Sequence, residues 1–279
     1  MVLLSEIAAN LEQGANGVWS ARKVSKVSYP AEGNASCLSV EDTSFWFRHR
    51  NKCILEVIKQ FPLSTPFFDV GGGNRYVAKA LQDTGLEVVA VEPGSTGAQN
   101  ARLRGVQHVI QASLEDAGFL PGVLPSVGLF DVLEHVEDDT AFIHSIRDYL
   151  RPGGTVYITV PAFEWLWSHE DVSVGHPRRY TRRSLSRVLE EAGLQLEFGT
   201  CFFTILPLPI LIFRSLPHRL RLNHHSPSAD ALQKDHHIRN PLGGRILDFM
   251  LQREVERIRA RSVSSFGGSC LAVAKKARL

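Results

Sequence analysis

Residues 66–75, PFFDVGGGNR, decide how this chain folds. An apolar run ending in an acid, three glycines, and then a helical pattern over 76–84 read as strand, tight turn and helix. Gly71 and Gly73 let the backbone turn sharply at the strand's C-terminal edge. They also let a ligand approach without a Cβ in the way. Working outward, LEVVAVE at 86–92 predicts a second strand, closed by Pro93-Gly94, and 106–112 a third. A weaker fourth spans 126–130, and TVYITV at 155–160 is the fifth, after a helix over 140–150 stopped by Arg151-Pro152-Gly153-Gly154. Thr181 can cap a helix over 182–192, with strands at 194–201 and 269–274 completing a set of seven. Short β-branched runs alternating with helices predict an α/β fold with a doubly wound, mostly parallel sheet.

The chain has 279 residues, 44% hydrophobic and 22% charged, enough apolar material for a large core, so disorder as the main state is excluded. A net charge of +2 gives no global reason to expect a nucleic-acid partner. Basicity is local: 214–261 holds 10 Lys/Arg against 5 Asp/Glu. The cysteines at 37, 53, 201 and 270 stand far apart without a CxxC pair, which fits a reducing cytoplasm. MVLLSEIAAN lacks a basic stretch and Glu6 interrupts its apolar run, so it does not read as a secretory signal. The most apolar segment, 201–213, is shorter than the roughly 20 residues of a bilayer span and contains Pro207 and Pro209.

Glu92 ends the second strand, 23 residues after Asp69, where a carboxylate can accept hydrogen bonds from a ribose diol. A dinucleotide fingerprint would need a third glycine at position 76, which is Tyr76, and no Gly-Lys-Ser/Thr follows for a phosphate loop. The surviving reading is the D-x-G-x-G turn of an S-adenosylmethionine site.

The chain resembles the class I S-adenosylmethionine-dependent methyltransferases, in particular the broad bacterial group of small-molecule methyltransferase domains. The resemblance covers about 45–206 and 266–275 and rests, in order, on FWFRHRN, DVGGGN, VEP, DVLEHVEDD, LRPGG, VP, GHPRRYT and FGGSCLAVAKK. It implies a Rossmann-like sheet of seven strands with an antiparallel last strand, an N-terminal helical cover and an insertion before that last strand. The expected organisation is 1–62 as extension and covering helix, 63–200 as cofactor-binding core, 201–265 as insertion and substrate cap, and 266–279 as last strand and tail. The implied cofactor is S-adenosylmethionine, with S-adenosylhomocysteine as product. Asp69, Gly71, Gly72, Gly73, Glu92, Pro93, Ser113, Leu114 and Asp131 would hold it, with Trp46 and Arg48 closing the methionine end. The family commonly has glycine where Arg75 stands, and an acid near the adenine is replaced by Gln111-Ala112-Ser113-Leu114.

By the same resemblance, 131–135 borders both cofactor and acceptor. His135 could take a proton from an attacking hydroxyl or amine; the competing reading is that Glu134 and His135 cap the next helix. Asp131, Glu134 and His135 also resemble the acid-x-x-Glu-His pattern of metal-assisted methyltransferases, with His169 or His176 as a further ligand. A divalent metal is not the favoured expectation. In 160–181, Trp165 and Trp167 could wall an acceptor, His169 could act as base beside Asp171, and Arg179 and Tyr180 with His176 could bind an acidic group. The alternative is that His176 and Arg179 brace the loop. The 201–221 segment, apolar with a basic flank, packs on the sheet, lines an acceptor tunnel or meets a lipid surface. His224-His225 and His236-His237 read as solvated loop histidines.

The first functional expectation is a cytoplasmic enzyme methylating a small-molecule acceptor, O-methylation ahead of N- or C-methylation, with no nucleic-acid partner. The second is a non-catalytic cofactor-binding or scaffold protein in a biosynthetic assembly.

Overall fold

The structure, a computed structural model, describes residues 3–22, 44–61, 63–73, 75–222 and 241–278. One sheet organises them, with strands β1 (Leu11–Gln13), β2 (Trp19–Ala21), β3 (Phe67–Val70), β4 (Val88–Val91), β5 (His108–Gln111), β6 (Leu124–Phe130), β7 (Leu150–Pro161), β8 (Leu194–Phe202) and β9 (Ser269–Lys276). Their order is β1-β2-β5-β4-β3-β6-β7-β9-β8. The five strands from β5 to β7 in that order run parallel, while β9 is antiparallel to both β7 and β8.

Among the described residues the sheet therefore has nine strands, not seven. The two extra ones come from the N-terminal extension: β1 and β2 form a short antiparallel pair, and β2 adds in parallel to β5, covering an edge that would otherwise expose unpaired backbone groups. Three-residue strands carry almost no alternation to read. A second difference lies at Arg151–Gly154, expected only as the stop of the preceding helix. Here β7 runs through the four residues, and the register with β6 shifts between Leu124 and Ser126.

Consecutive residues of each inner strand face opposite layers, as the period-2 pleat requires. Phe68, Val89, Ile110, Val127 and Ile158 pack with Ile143, Ile146, Leu185 and Leu189 on one side. Phe67, Val88, Val109, Phe130 and Tyr157 pack with Ile54, Val57, Leu81 and Ala98 on the other. The covering helix Phe45–Gln60 starts at Ser44, whose hydroxyl accepts from the amides of Trp46 and Phe47. It lies against the insertion helix Pro241–Arg259, tied by His49 to Glu254 at 2.7 Å and by Arg259 to Glu56 at 3.0 Å. The two helices thus form one layer. The histidines at 224, 225, 236 and 237 and residues 23–43 of the N-terminal extension lie outside the described residues.

Among the described residues, no helix is long and apolar enough to cross a membrane. Strand β3 pairs with β4 on one side and β6 on the other, so the chain reverses direction across the sheet there. Such a switch point opens a crevice at the carboxyl ends of the strands.

Candidate active site

The β3 turn leaves the strand with Gly71 at φ +69°, and a Cβ there would sit 3.0 Å from both methyls of Val132. Glycine is required on both counts, conformation and close approach. Behind the turn, Arg75 adopts a left-handed conformation, φ 61°, at the start of helix Tyr76–Asp83. Its side chain folds back under the loop and is fully buried. The guanidinium donates to Asp69 O at 2.7 Å, to Val91 O, and to Glu92 Oε2 at 3.0 Å, and it faces Asp69 Oδ2 at 3.4 Å. Burial raises the carboxyls of Asp69 and Glu92 above their ordinary values, and the Arg75 charge offsets this only in part.

Glu92 is 5% exposed, and its Oε1 accepts from the Gly94 amide at 2.9 Å. Helix Ser95–Leu103 begins so close that a Cβ on Gly97 would lie 2.9 Å from Glu92 Cγ. A carboxylate offers about four lone-pair sites, so these bonds orient Glu92 without exhausting it. Pro93 is half-buried beside it. Ser113 uses its hydroxyl to cap helix Leu114–Ala117, and Leu114 is a core residue.

At the end of β6, Asp131 also has positive φ, 56°. Thr159 donates to its Oδ1 at 3.0 Å, and Arg50 Nε lies 3.0 Å from its Oδ2. Arg50, buried beneath the rings of Trp46 and Phe47, is the inward arginine of the covering helix; Arg48 is exposed. The spacing held the signal, since Arg50 precedes the core residue Ile54 by one helical step of four. Trp46 is half-buried and stacks on Phe203 with ring centroids 5.5 Å apart.

The 3-10 turn Leu133–His135 follows. Ligand atoms of Glu134, His135 and His176 lie within 4.8 Å of one another. Glu134 is 1% exposed, and its Oε2 has no hydrogen-bond partner among the described residues. Burial, then the Asp131 charge, push its carboxyl well up. Burial and the neighbouring His176 push His135 down to about 4.

Residues 46–197 match the profile of a family described as a methyltransferase domain. The chain belongs to this methyltransferase family. It is 32% identical over 97 residues to a ubiquinone biosynthesis O-methyltransferase of Xanthomonas campestris, a stretch that is 33% of this chain and 41% of that protein. The chain therefore spans well under half the length of that relative. By structure it resembles a Bacillus halodurans protein described as a methyltransferase (TM-score 0.52, 20% identity, 80% of this chain and 98% of that one). It also resembles a Haemonchus contortus phosphoethanolamine N-methyltransferase solved with S-adenosyl-L-methionine (TM-score 0.55, 18% identity, 91% and 59%). At these identities the structural likeness establishes the fold.

Of the residues expected to bind an acceptor, most already have partners within the chain. Asp171 is 1% exposed and takes Arg179 at 2.8 and 2.9 Å, His176 Nδ1 at 3.0 Å and the Ser168 amide at 2.8 Å. Burial opposes ionisation of Asp171, but the bonds from His176 and Arg179 hold it well below the usual carboxylate range. Arg179 also donates to Ala162 O at 3.3 Å. Tyr180 is buried and donates to Asp139 Oδ2 at 2.8 Å. Arg179, His176 and Tyr180 thus brace the loop, rather than present a site for an acidic group. His169 faces His218 of the insertion, ring centroids 6.3 Å apart, and stands outside the Glu134–His135–His176 group. Trp165 stacks on Phe266, centroids 6.2 Å apart, with Phe163 beside both, making a half-exposed aromatic wall at the strand ends. Trp167 is half-buried two residues on.

Proposed function

We propose that the chain transfers a methyl group from S-adenosylmethionine to a hydroxyl of a small-molecule acceptor. The observation that carries this reading is the set of groups at the carboxyl ends of three adjacent strands: the Gly71 turn, Glu92 and Asp131. The donor set suits the cofactor. Glu92 retains acceptor sites for a diol, and Asp131 is a carboxylate for an ammonium group. When bound, the cofactor supplies an electrophilic methyl on a sulfonium. The protein's share is alignment: the glycine turn admits close approach, and Arg50, stacked on Trp46 and Phe47, fixes Asp131. His135 is neutral at pH 7 and can accept the acceptor's proton. The Trp165–Phe163–Phe266 wall suits an apolar or aromatic acceptor body. The ubiquinone O-methyltransferase relative supports an oxygen acceptor over nitrogen or carbon.

A second reading, metal-assisted O-methylation, draws on the Glu134, His135 and His176 group, whose atoms converge within 4.8 Å. The segment beyond β8 also supports a peripheral lipid contact. Leu208, Phe213, Leu220 and Leu222 are each at least 64% exposed, with Arg219 and Arg221 among them. The test is methyl transfer from radiolabelled S-adenosylmethionine to a panel of phenols and catechols, with and without chelator. Transfer to a phenol that survives chelation supports the first reading; loss restored by magnesium supports the second. Cofactor binding with no transfer to any acceptor leaves the scaffold role.

A further inference from the structure

Two cysteines that stand far apart in the sequence are seated side by side. Cys201 in β8 and Cys270 in β9 are direct partners in the antiparallel ladder, with Sγ atoms 3.4 Å apart. Their exposures are 2% and 0%. The Cys201 amide donates to Ser264 O, away from β9, so the pair occupies a non-hydrogen-bonded position of the ladder. Facing residues at such positions have Cα atoms about 4.5 Å apart, inside the span of about 4.4–6.8 Å that disulfides bridge. Neither thiol has a part in methyl transfer.

The hydrogen bond from Cys270 draws the Cys201 thiol below its usual range against the pull of burial, while Cys270 is pushed up. Cys201 is the less deeply buried of the two and takes the attacking role.

We propose that Cys201 and Cys270 form a hydroperoxide-responsive dithiol that oxidises to a cross-strand disulfide between β8 and β9. The Cys201 thiolate attacks one oxygen of hydrogen peroxide and the O–O bond breaks. This leaves a sulfenic acid on Cys201 and a hydroxide, which takes up the proton the thiol had released and departs as water. The Cys270 sulfur then attacks the Cys201 sulfur, the S–O bond breaks, and a second water leaves with the Cys270 proton. Two thiols lose two electrons and two protons, and one peroxide becomes two waters. The new bond closes a loop between residues 69 apart, containing the whole insertion. It forms beside the anchor where the Phe203 and Thr204 amides donate to Glu254 at 2.6 and 2.8 Å. Closing so long a loop restricts the unfolded chain and raises stability.

The test is peptide mapping of the full chain after hydrogen peroxide, alkylation and digestion without reductant. The expected product is one linked pair carrying Cys201 and Cys270, two hydrogens lighter than the separate thiol peptides and cleaved by dithiothreitol. Its formation raises the melting temperature by roughly 5–10 °C, and C201S and C270S each lose both effects. Recovery of both residues as free thiols, under peroxide that fully oxidises glutathione, overturns the proposal. So does sulfinic acid on Cys201 without a link, or a link to Cys37 or Cys53. The wild-type map decides the matter even if a serine variant fails to fold. It does not depend on the methyl-transfer reading, since no cofactor is involved.

Discussion

Arg75 Nη2 lies 3.0 Å from Glu92 Oε2, joining the residue after the glycine turn to the acid that ends the next strand. The guanidinium has no solvent exposure, and Asp69 lies on its other side. Burying three charged groups together is costly unless the geometry is good. Here the Asp69 and Val91 carbonyls complete the arrangement. Where the resemblance leads one to expect glycine, this chain keeps the left-handed backbone and adds a cation that partly offsets the cost of burying the charge of Glu92.

Arg75→Gly separates the two roles. The backbone is relieved by about 1 kcal/mol, but removing one partner of a buried pair costs about 3–5 kcal/mol. The variant should melt several degrees below wild type at pH 7. Without the cation, the folded-state pKa values of Asp69 and Glu92 rise further, and a raised carboxyl favours the folded state as pH falls. The melting gap should therefore narrow from pH 7 to 5. A gap independent of pH would show that Arg75 contributes packing alone.

Gly71→Val places a β-branched residue at φ +69° against Val132. The variant should lose the melting shift that S-adenosylhomocysteine gives the wild type. A full shift in the variant would remove the glycine turn from the site.

His135 carries a sign that can be checked. Its folded pKa, about 4, is below the ordinary value of 6.5. Between those values the unfolded chain holds the extra proton, so stability falls as pH drops from 6.5 to 4, by on the order of 2–3 kcal/mol. His135→Asn should flatten that part of the melting profile. As a base His135 is already deprotonated above pH 5, so the wild-type rate should not fall through its protonation between pH 8 and 5.5. A rate that drops with an apparent pKa near 6.5 would assign proton removal to another group.

Asp171→Asn withdraws the charge shared by His176 and Arg179. A melting loss of roughly 6–12 °C follows from breaking a buried pair. Cofactor affinity should stay within about twofold. Loss of cofactor binding would mean that the loop reaches further than its bonds suggest.

The core strands and the acids at their carboxyl ends were legible because each imposes a local pattern: apolar runs stopped by glycine, and an acid at a fixed distance beyond. Strands β1 and β2 were not, since three residues on an edge need no alternation. Arg75 was visible only as a departure, because nothing local says which way a long side chain folds. Arg50 could have been found by helical spacing, and Arg48 stood out merely through its neighbours in sequence. On the acceptor side, a density of His, Arg and Tyr reads equally as binding surface or internal brace. The choice rests on Asp171, whose partners come from 5 and 8 residues away and are set by the turn of the loop. The Cys201–Cys270 pairing required the strand register, which no spacing in the sequence encodes.

The most direct test of the site is isothermal titration of S-adenosylhomocysteine into wild type and Glu92→Ala. One-to-one binding by wild type, weakened about 100-fold or more in the variant through loss of two charge-assisted hydrogen bonds, is the predicted result. No heat with wild type, or equal affinity in the two proteins, would contradict it.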